Sequence, residues 1–132
     1  MIILLAALLE TASPDVRVEQ RIATDPELNR CLAVDDKAED PIPHVIDCYD
    51  AAQARAEAAL AAGYAALRTT YAANPKSLAA IDAGEKAFLA YRDSWCQVDE
   101  AAEGEPRMVV ATAKMCRLEL TRYQVYRIDS VG

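Results

Sequence analysis

Four cysteines, one histidine and an adjacent Arg92–Asp93 pair are the residues of this 132-residue chain that could do chemistry. Cys31, Cys48, Cys96 and Cys116 nowhere form C-x-x-C, so the thioredoxin, zinc-ribbon and c-type haem patterns are absent. An even number of cysteines in a short chain points to two disulfides and an oxidising compartment. The competing reading is four buried thiols serving as small apolar residues. Met108 and Met115, with Cys96 and Cys116, suggest a soft Cu(I) set, but methionines at helical spacing belong to a core and oxidised sulfurs cannot ligate as thiolates. Arg92 and Asp93 diverge by about 100° on a helix, too far to share one compact catalytic site. The expectation is that each pairs with a neighbouring helix, Arg92 with an acid near Cys48 and Asp93 with Arg122. His44 stands alone between Pro43 and Val45, completes neither a Ser-His-Asp triad nor a Cys-His pair, and reads as a surface or capping residue. No nucleophile–base pair, metal set or cofactor motif emerges, so the chain reads as non-enzymatic and without a cofactor.

Composition narrows the class further. Fourteen basic and 21 acidic residues give a net charge of -7, which argues against nucleic acid, where affinity comes from Lys and Arg displacing counterions. A cationic protein is the better match. Of the 53% hydrophobic residues, 27 are alanine, which favours helix but buries little area per residue. Four glycines and six prolines are too few for an all-β chain of many tight turns, and no apolar run reaches the roughly 18 residues of a membrane span. Met1 to Leu9 is an apolar run of signal-peptide length without a positively charged start. Residues 1–13 are therefore read as a signal-peptide remnant, with an apolar first helix packed on the domain as the alternative, and 14–132 as a single helical domain. The first cysteine lies far from any lipid-attachment position, which favours a soluble periplasmic or secreted protein.

The elements that must position these residues are helices. Asp25-Pro26-Glu27 reads as an N-cap, a first-turn proline and a first-turn acid, opening a short helix through Leu28, Cys31 and Leu32 that stops by Asp35-Asp36. An acidic, proline-bearing loop follows to Pro43. A second helix, from about Val45 to Ala73, carries Ile46, Tyr49, Ala52, Ala56, Leu60, Tyr64, Leu67 and Tyr71 on one stripe. Asn74-Pro75 supplies a new N-cap, and so short a link makes the second and third helices antiparallel neighbours. The third, about Pro75 to Ala102, offers a heptad-like seam of Ile81, Gly84, Phe88, Tyr91, Trp95 and Val98. The last runs from about Arg107 to Ile128 with Met108, Val109, Thr112, Met115, Cys116, Leu120 and Tyr123 on its apolar side. The fold class is all-α: a small antiparallel bundle of three long helices plus a short N-terminal one, with two disulfides. Of three connectivities, Cys31–Cys48 and Cys96–Cys116 are favoured because each pair flanks one connection, although Cys48–Cys96 is also geometrically open.

Glu85-Lys-Ala-Phe-Leu-Ala-Tyr-Arg-Asp-Ser-Trp-Cys96, followed by Cys116-Arg-Leu-Glu-Leu-Thr-Arg122, resembles the LprI-type lysozyme inhibitor family, small bacterial envelope domains. Tyr91, Arg92, Asp93, Cys96, Cys116, Thr121 and Arg122 fall on the positions of its Y-R-D-x-x-C and C-x4-T-R motifs, and Cys48 with Leu60 to Tyr64 resembles an upstream segment. The likeness covers roughly residues 25 to 128. Its usual Gln and Trp are Glu85 and Phe88 here, with a tryptophan at Trp95 instead. The resemblance implies an α-helical, disulfide-bearing domain exported to the envelope, and lysozyme as a partner.

Two acidic runs bear on that partner. Asp35 to Asp50 carries six acids and one base, and Asp93 to Glu105 five acids and no base. Antiparallel packing should bring both to one end, where Asp35, Asp36, Glu39, Asp40, Asp99, Glu100, Glu103 and Glu105 are the candidate partner-binding residues. The leading expectation is a protein that binds lysozyme through this end. The alternative is a structural or adaptor domain of the envelope that binds another protein. Six tyrosines, Tyr49, Tyr64, Tyr71, Tyr91, Tyr123 and Tyr126, suit either, and for most of them the expected place is the bundle edge with a wet hydroxyl.

Overall fold

The structure, a computed structural model, describes residues 25–33 and 39–131. The signal-peptide reading of residues 1–13, and Asp35 and Asp36 with it, lie outside them. Helix α1 is Pro26–Leu32, α2 Ile42–Thr70, α3 Pro75–Glu100 and α4 Pro106–Asp129. Local sequence explains the starts. Asp25 caps α1 by accepting from the Leu28 N–H at 2.9 Å, Asn74 caps α3 by accepting from Ser77 at 3.1 Å, and Glu105 caps α4 by accepting from Met108 at 2.9 Å. Each is followed by a proline in the first turn, where its missing N–H is no loss. Helix α2 begins three residues earlier than the sequence suggests, at Ile42, because Pro43 falls in the first turn and Asp40 accepts from the Ile42 N–H at 3.2 Å.

Helices α2 and α4 form the main packed pair, α3 lies chiefly against α4, and α1 lies on α2. Small side chains make the close approach possible: Ala52 and Ala56 on α2 and Ala111 and Ala113 on α4 are all buried. The core falls into two apolar clusters. One gathers Leu28, Cys48, Ala52, Ala56 and Leu118, with Cys31 and Tyr49 against it. The other gathers Leu60, Tyr64, Leu67 and Ile128, with Phe88, Leu89 and Val125 against it. The stripe read for α2 is the buried face of that helix.

The seam read for α3 is not its buried face. Gly84, Tyr91, Trp95 and Val98 are exposed and Ile81 and Phe88 half-buried, while the fully buried residues are Arg92 and Cys96. The helix is rotated by about one residue, some 100°, relative to its bulkiest stripe. Helix α4 is likewise turned: Met108, Thr112, Met115 and Tyr123 are exposed, and Ala111, Ala113, Leu118, Thr121 and Ile128 are buried. The physical reason is the same in both. Covalent bonds and buried polar contacts, described below, fix the facing residues, and side-chain size does not.

Candidate functional site

The sulfurs pair as Cys31–Cys48 and Cys96–Cys116, each with Cα atoms 5.7 Å apart, and no described cysteine is free. The first bridge ties α1 to α2, the second α3 to α4. His44, one turn before Cys48, is half-buried and acts as a cap, on the last turn of α1. Its Nε2 lies 2.8 Å from the Cys31 carbonyl oxygen and 3.5 Å from Cys48 Sγ. A carbonyl can only accept, so Nε2 carries the proton and His44 braces the bridge. Cys31, His44 and Cys48 hold their donor atoms within 4.8 Å of one another, but with both sulfurs joined the group offers a metal only the imidazole.

Between the two apolar clusters lies a polar layer. Arg92, only 8% exposed, donates through Nη1 to Glu57 Oε1 at 2.6 Å and to Thr121 Oγ1 at 3.0 Å, and through Nε to Asp93 Oδ1 at 3.0 Å. Gln53 Nε2 donates to the same Glu57 oxygen at 2.7 Å and to Thr121 Oγ1 at 3.1 Å. The Thr121 hydroxyl, fully buried, donates to the Arg117 carbonyl at 2.7 Å. One hydroxyl thus uses its donor and both lone pairs. Arg92 also lies over the Phe88 ring, 5.8 Å from its centroid. Arg92, Asp93 and Thr121 of the motif come together here, along with the Cys96 bridge, whereas Tyr91 points outward. The expected pairings need correction. The partner of Arg92 is Glu57, more than two turns beyond Cys48, and Asp93 pairs with Arg92 itself. Arg122 lies on another face, in a cleft it shares with Asp25 and Arg55. The charge of Arg92, held by Glu57 and Asp93 and bonded to Thr121, makes this layer a clamp across α2, α3 and α4.

Asp25 and Tyr64 have shifted acidities. Burial pushes the Asp25 carboxyl up, but the Leu28 N–H bond and the Arg55 and Arg122 charges outweigh it and hold the group below its usual range. Tyr64 is not an edge tyrosine: it is buried, and its hydroxyl accepts from Gln124 Nε2 at 2.9 Å. Burial, with Glu85 nearby, pushes its phenol up despite the Gln124 bond.

The acidic end forms, in weakened shape. The start of α2, the end of α3 and the start of α4 meet there, and α4 brings bases that a count along α2 and α3 alone overlooks. Arg107 pairs with Asp40 and Glu105, Lys114 with Asp50, and Arg117 with Glu100. Glu39, Asp47, Asp99 and Glu103 have no ion-pair partner among the described residues. Beside this end, the outward face of α3 carries Tyr91, Trp95 and Val98, at 53%, 57% and 61% exposure. The Tyr91 and Trp95 rings are stacked, with centroids 6.4 Å apart and planes within 16°. A cleft of about 580 Å³ between α1 and α4, lined among others by Leu32, Tyr49, Met115 and Tyr123, is a further exposed apolar feature among the described residues.

These features define a small, disulfide-stapled α-helical bundle in which Arg92, Asp93, Thr121 and the Cys96–Cys116 bridge tie helices together, while Tyr91 faces outward. None of its described helices is long and apolar enough to cross a membrane. The motif spacing and the whole helical span have a common explanation: the chain belongs to the lysozyme inhibitor LprI family, whose model matches residues 18–127. No curated protein and no solved structure matches the chain.

Proposed function

We propose that this protein is a non-enzymatic, exported binding domain that engages lysozyme through the carboxylate-rich end of the bundle and obstructs its substrate cleft. The observation that carries the reading is the family match over residues 18–127, and the net charge of -7 supports it, since a negative surface steers a cationic enzyme toward contact. Two disulfides and the family are consistent with an extracytoplasmic protein, so the proposed location is the periplasm or the exterior, with residues 1–13 as a leader remnant and 14–132 as one domain. Docking at the pole uses Glu39, Asp40, Asp99, Glu100, Glu103 and Glu105, together with Asp35 and Asp36. Purified oxidised protein, in molar excess at low salt, should suppress lysozyme turnover of cell walls, and the effect should fall steeply by physiological ionic strength as screening shortens the reach of the field. Unchanged turnover at low salt overturns the proposal.

A second reading has one observation in its favour. Arg107, Lys114 and Arg117 neutralise several of the carboxylates on which steering depends, which suits an envelope adaptor domain that binds a resident protein. Retention of a periplasmic protein in place of added lysozyme on immobilised domain would select it.

A further inference from the structure

We propose that the Tyr91–Trp95–Val98 stripe of α3, with Asp99 and Glu103 at its C-terminal end, is the surface that docks a cationic globular protein. The inference rests on the lysozyme reading above and locates the contact, which that reading places only on carboxylates.

The stripe is unusual for this chain. A protein with one tryptophan and one phenylalanine would ordinarily bury both, yet more than half of the Trp95 surface is left in water while an arginine occupies the core of the same helix. Positions 91, 95 and 98 follow the i, i+4, i+7 spacing that sets side chains in one row. Because α3 leans chiefly on α4, this flank has no described helix over it. The Tyr91 and Trp95 rings lie nearly parallel and present one continuous aromatic surface to a partner. Tryptophan and tyrosine are the residues in which interface binding energy concentrates.

Charge decides the occupant. Arg92, Arg107 and Arg117 take Asp93, Glu105 and Glu100, which leaves Asp99 and Glu103 without an ion-pair partner among the described residues. Asp99 lies one turn beyond Trp95 at the i+4 spacing that shares a helix face, and Glu103 follows in the link to α4. Exposed aromatic faces next to unpaired carboxylates suit lysine and arginine, through cation–π contact on the rings and ion pairs at the rim. A second copy of this chain would instead bring together two molecules of charge -7 and, about a two-fold axis through the stripe, oppose like carboxylates.

The test measures lysozyme affinity by titration calorimetry at low salt for the wild type, Trp95→Ala, Trp95→Phe, Val98→Lys and the double variant Asp99→Asn/Glu103→Gln. All four sites are exposed or half-buried, and far-UV circular dichroism checks that each variant is folded. Trp95→Ala and Val98→Lys should each weaken binding about tenfold or more, Trp95→Phe should retain most of it, and the charge variant should bind less tightly with a shallower salt dependence. Wild-type binding that Trp95→Ala and Val98→Lys leave within twofold overturns this inference and leaves the lysozyme reading standing. Absence of wild-type binding overturns both. Two other occupants are distinguishable: a wild-type dimer in sedimentation that Trp95→Ala dissolves, or faster proteolysis before Asp25 in Trp95→Ala, would assign the stripe to a second copy or to residues 1–24 and overturn the proposal.

Discussion

Replacing Thr121 by valine keeps the shape of a fully buried side chain and removes one oxygen atom that makes three hydrogen bonds. The consequences are unequal. The Arg117 carbonyl loses only an extra donor. Gln53 Nε2 retains Glu57, and Arg92 retains Glu57 and Asp93. No charge is stranded, so the cost is that of weakened hydrogen bonding in a dry layer, about 1–3 kcal/mol. Glu57→Gln attacks the same layer from the other side. It leaves the Arg92 guanidinium, 8% exposed, with Asp93 as its remaining carboxylate. Breaking a fully buried pair costs about 3–5 kcal/mol, but the Glu57 side chain is 41% exposed, and water screening reduces the expected loss to about 1–2 kcal/mol. Both changes act on Arg92 Nη1 and Gln53 Nε2, so their effects should not add. Urea unfolding of the wild type, both single variants and the double variant measures this, with an unchanged slope marking a change in stability alone. A Thr121→Val cost below about 0.5 kcal/mol, or strict additivity in the cycle, would refute the account of this layer as one clamp.

Three further outcomes are expected. Gly84→Ala should stabilise the fold by up to about 1 kcal/mol through helix propensity, because a Cβ there meets nothing within 4 Å, whereas at Gly63 it would come within 3.0 Å of Ile128 Cγ2 and cancel or reverse the gain; equal melting shifts for the two variants would contradict the rotation of α3. Asp25→Ala should cost about 1 kcal/mol at neutral pH from loss of the cap. Because the folded carboxyl titrates below its ordinary value, this contribution is present above about pH 4 and is lost as the pH falls through the folded value, so the wild-type advantage in urea titrations should shrink in acid. Reducing both bridges, which close separations of 17 and 20 residues, should remove about 3 kcal/mol each from the roughly 5–15 kcal/mol that holds a domain together; a melting curve unmoved by reductant would contradict this.

The helices themselves were legible because their signals are local. Asp25-Pro26 and Asn74-Pro75 announce two starts, and the alanine-lined stripe from Ala52 to Leu67 is the true inner face of α2. The rotations of α3 and α4 escape a ranking by bulk, because that ranking assumes that the largest apolar groups face inward. On α3 that assumption selects Trp95 over Arg92. A better signal was present: a bridged cysteine must face its partner helix, and the residue four before Cys96, Arg92, shares that direction. Glu57, the main partner of Arg92, has no local mark that separates it from other helical acids, since its role arises only when α2 and α3 pack. Bases on α4 temper the acidic end for a similar reason, as Arg107, Lys114 and Arg117 reach acids distant in sequence.

The shape of the bundle has a consequence for how such a domain could be retuned. The α2–α4 pair and the clamp beneath α3 carry the demands of stability, so the outer row on α3 answers to almost nothing inside the molecule. Exchanging Tyr91, Trp95 or Val98 for other side chains would change what the domain recognises while its interior stays as it is. If the stripe docks a partner as proposed, selectivity is separable from architecture, and a new target would be reachable by editing three positions on one helix.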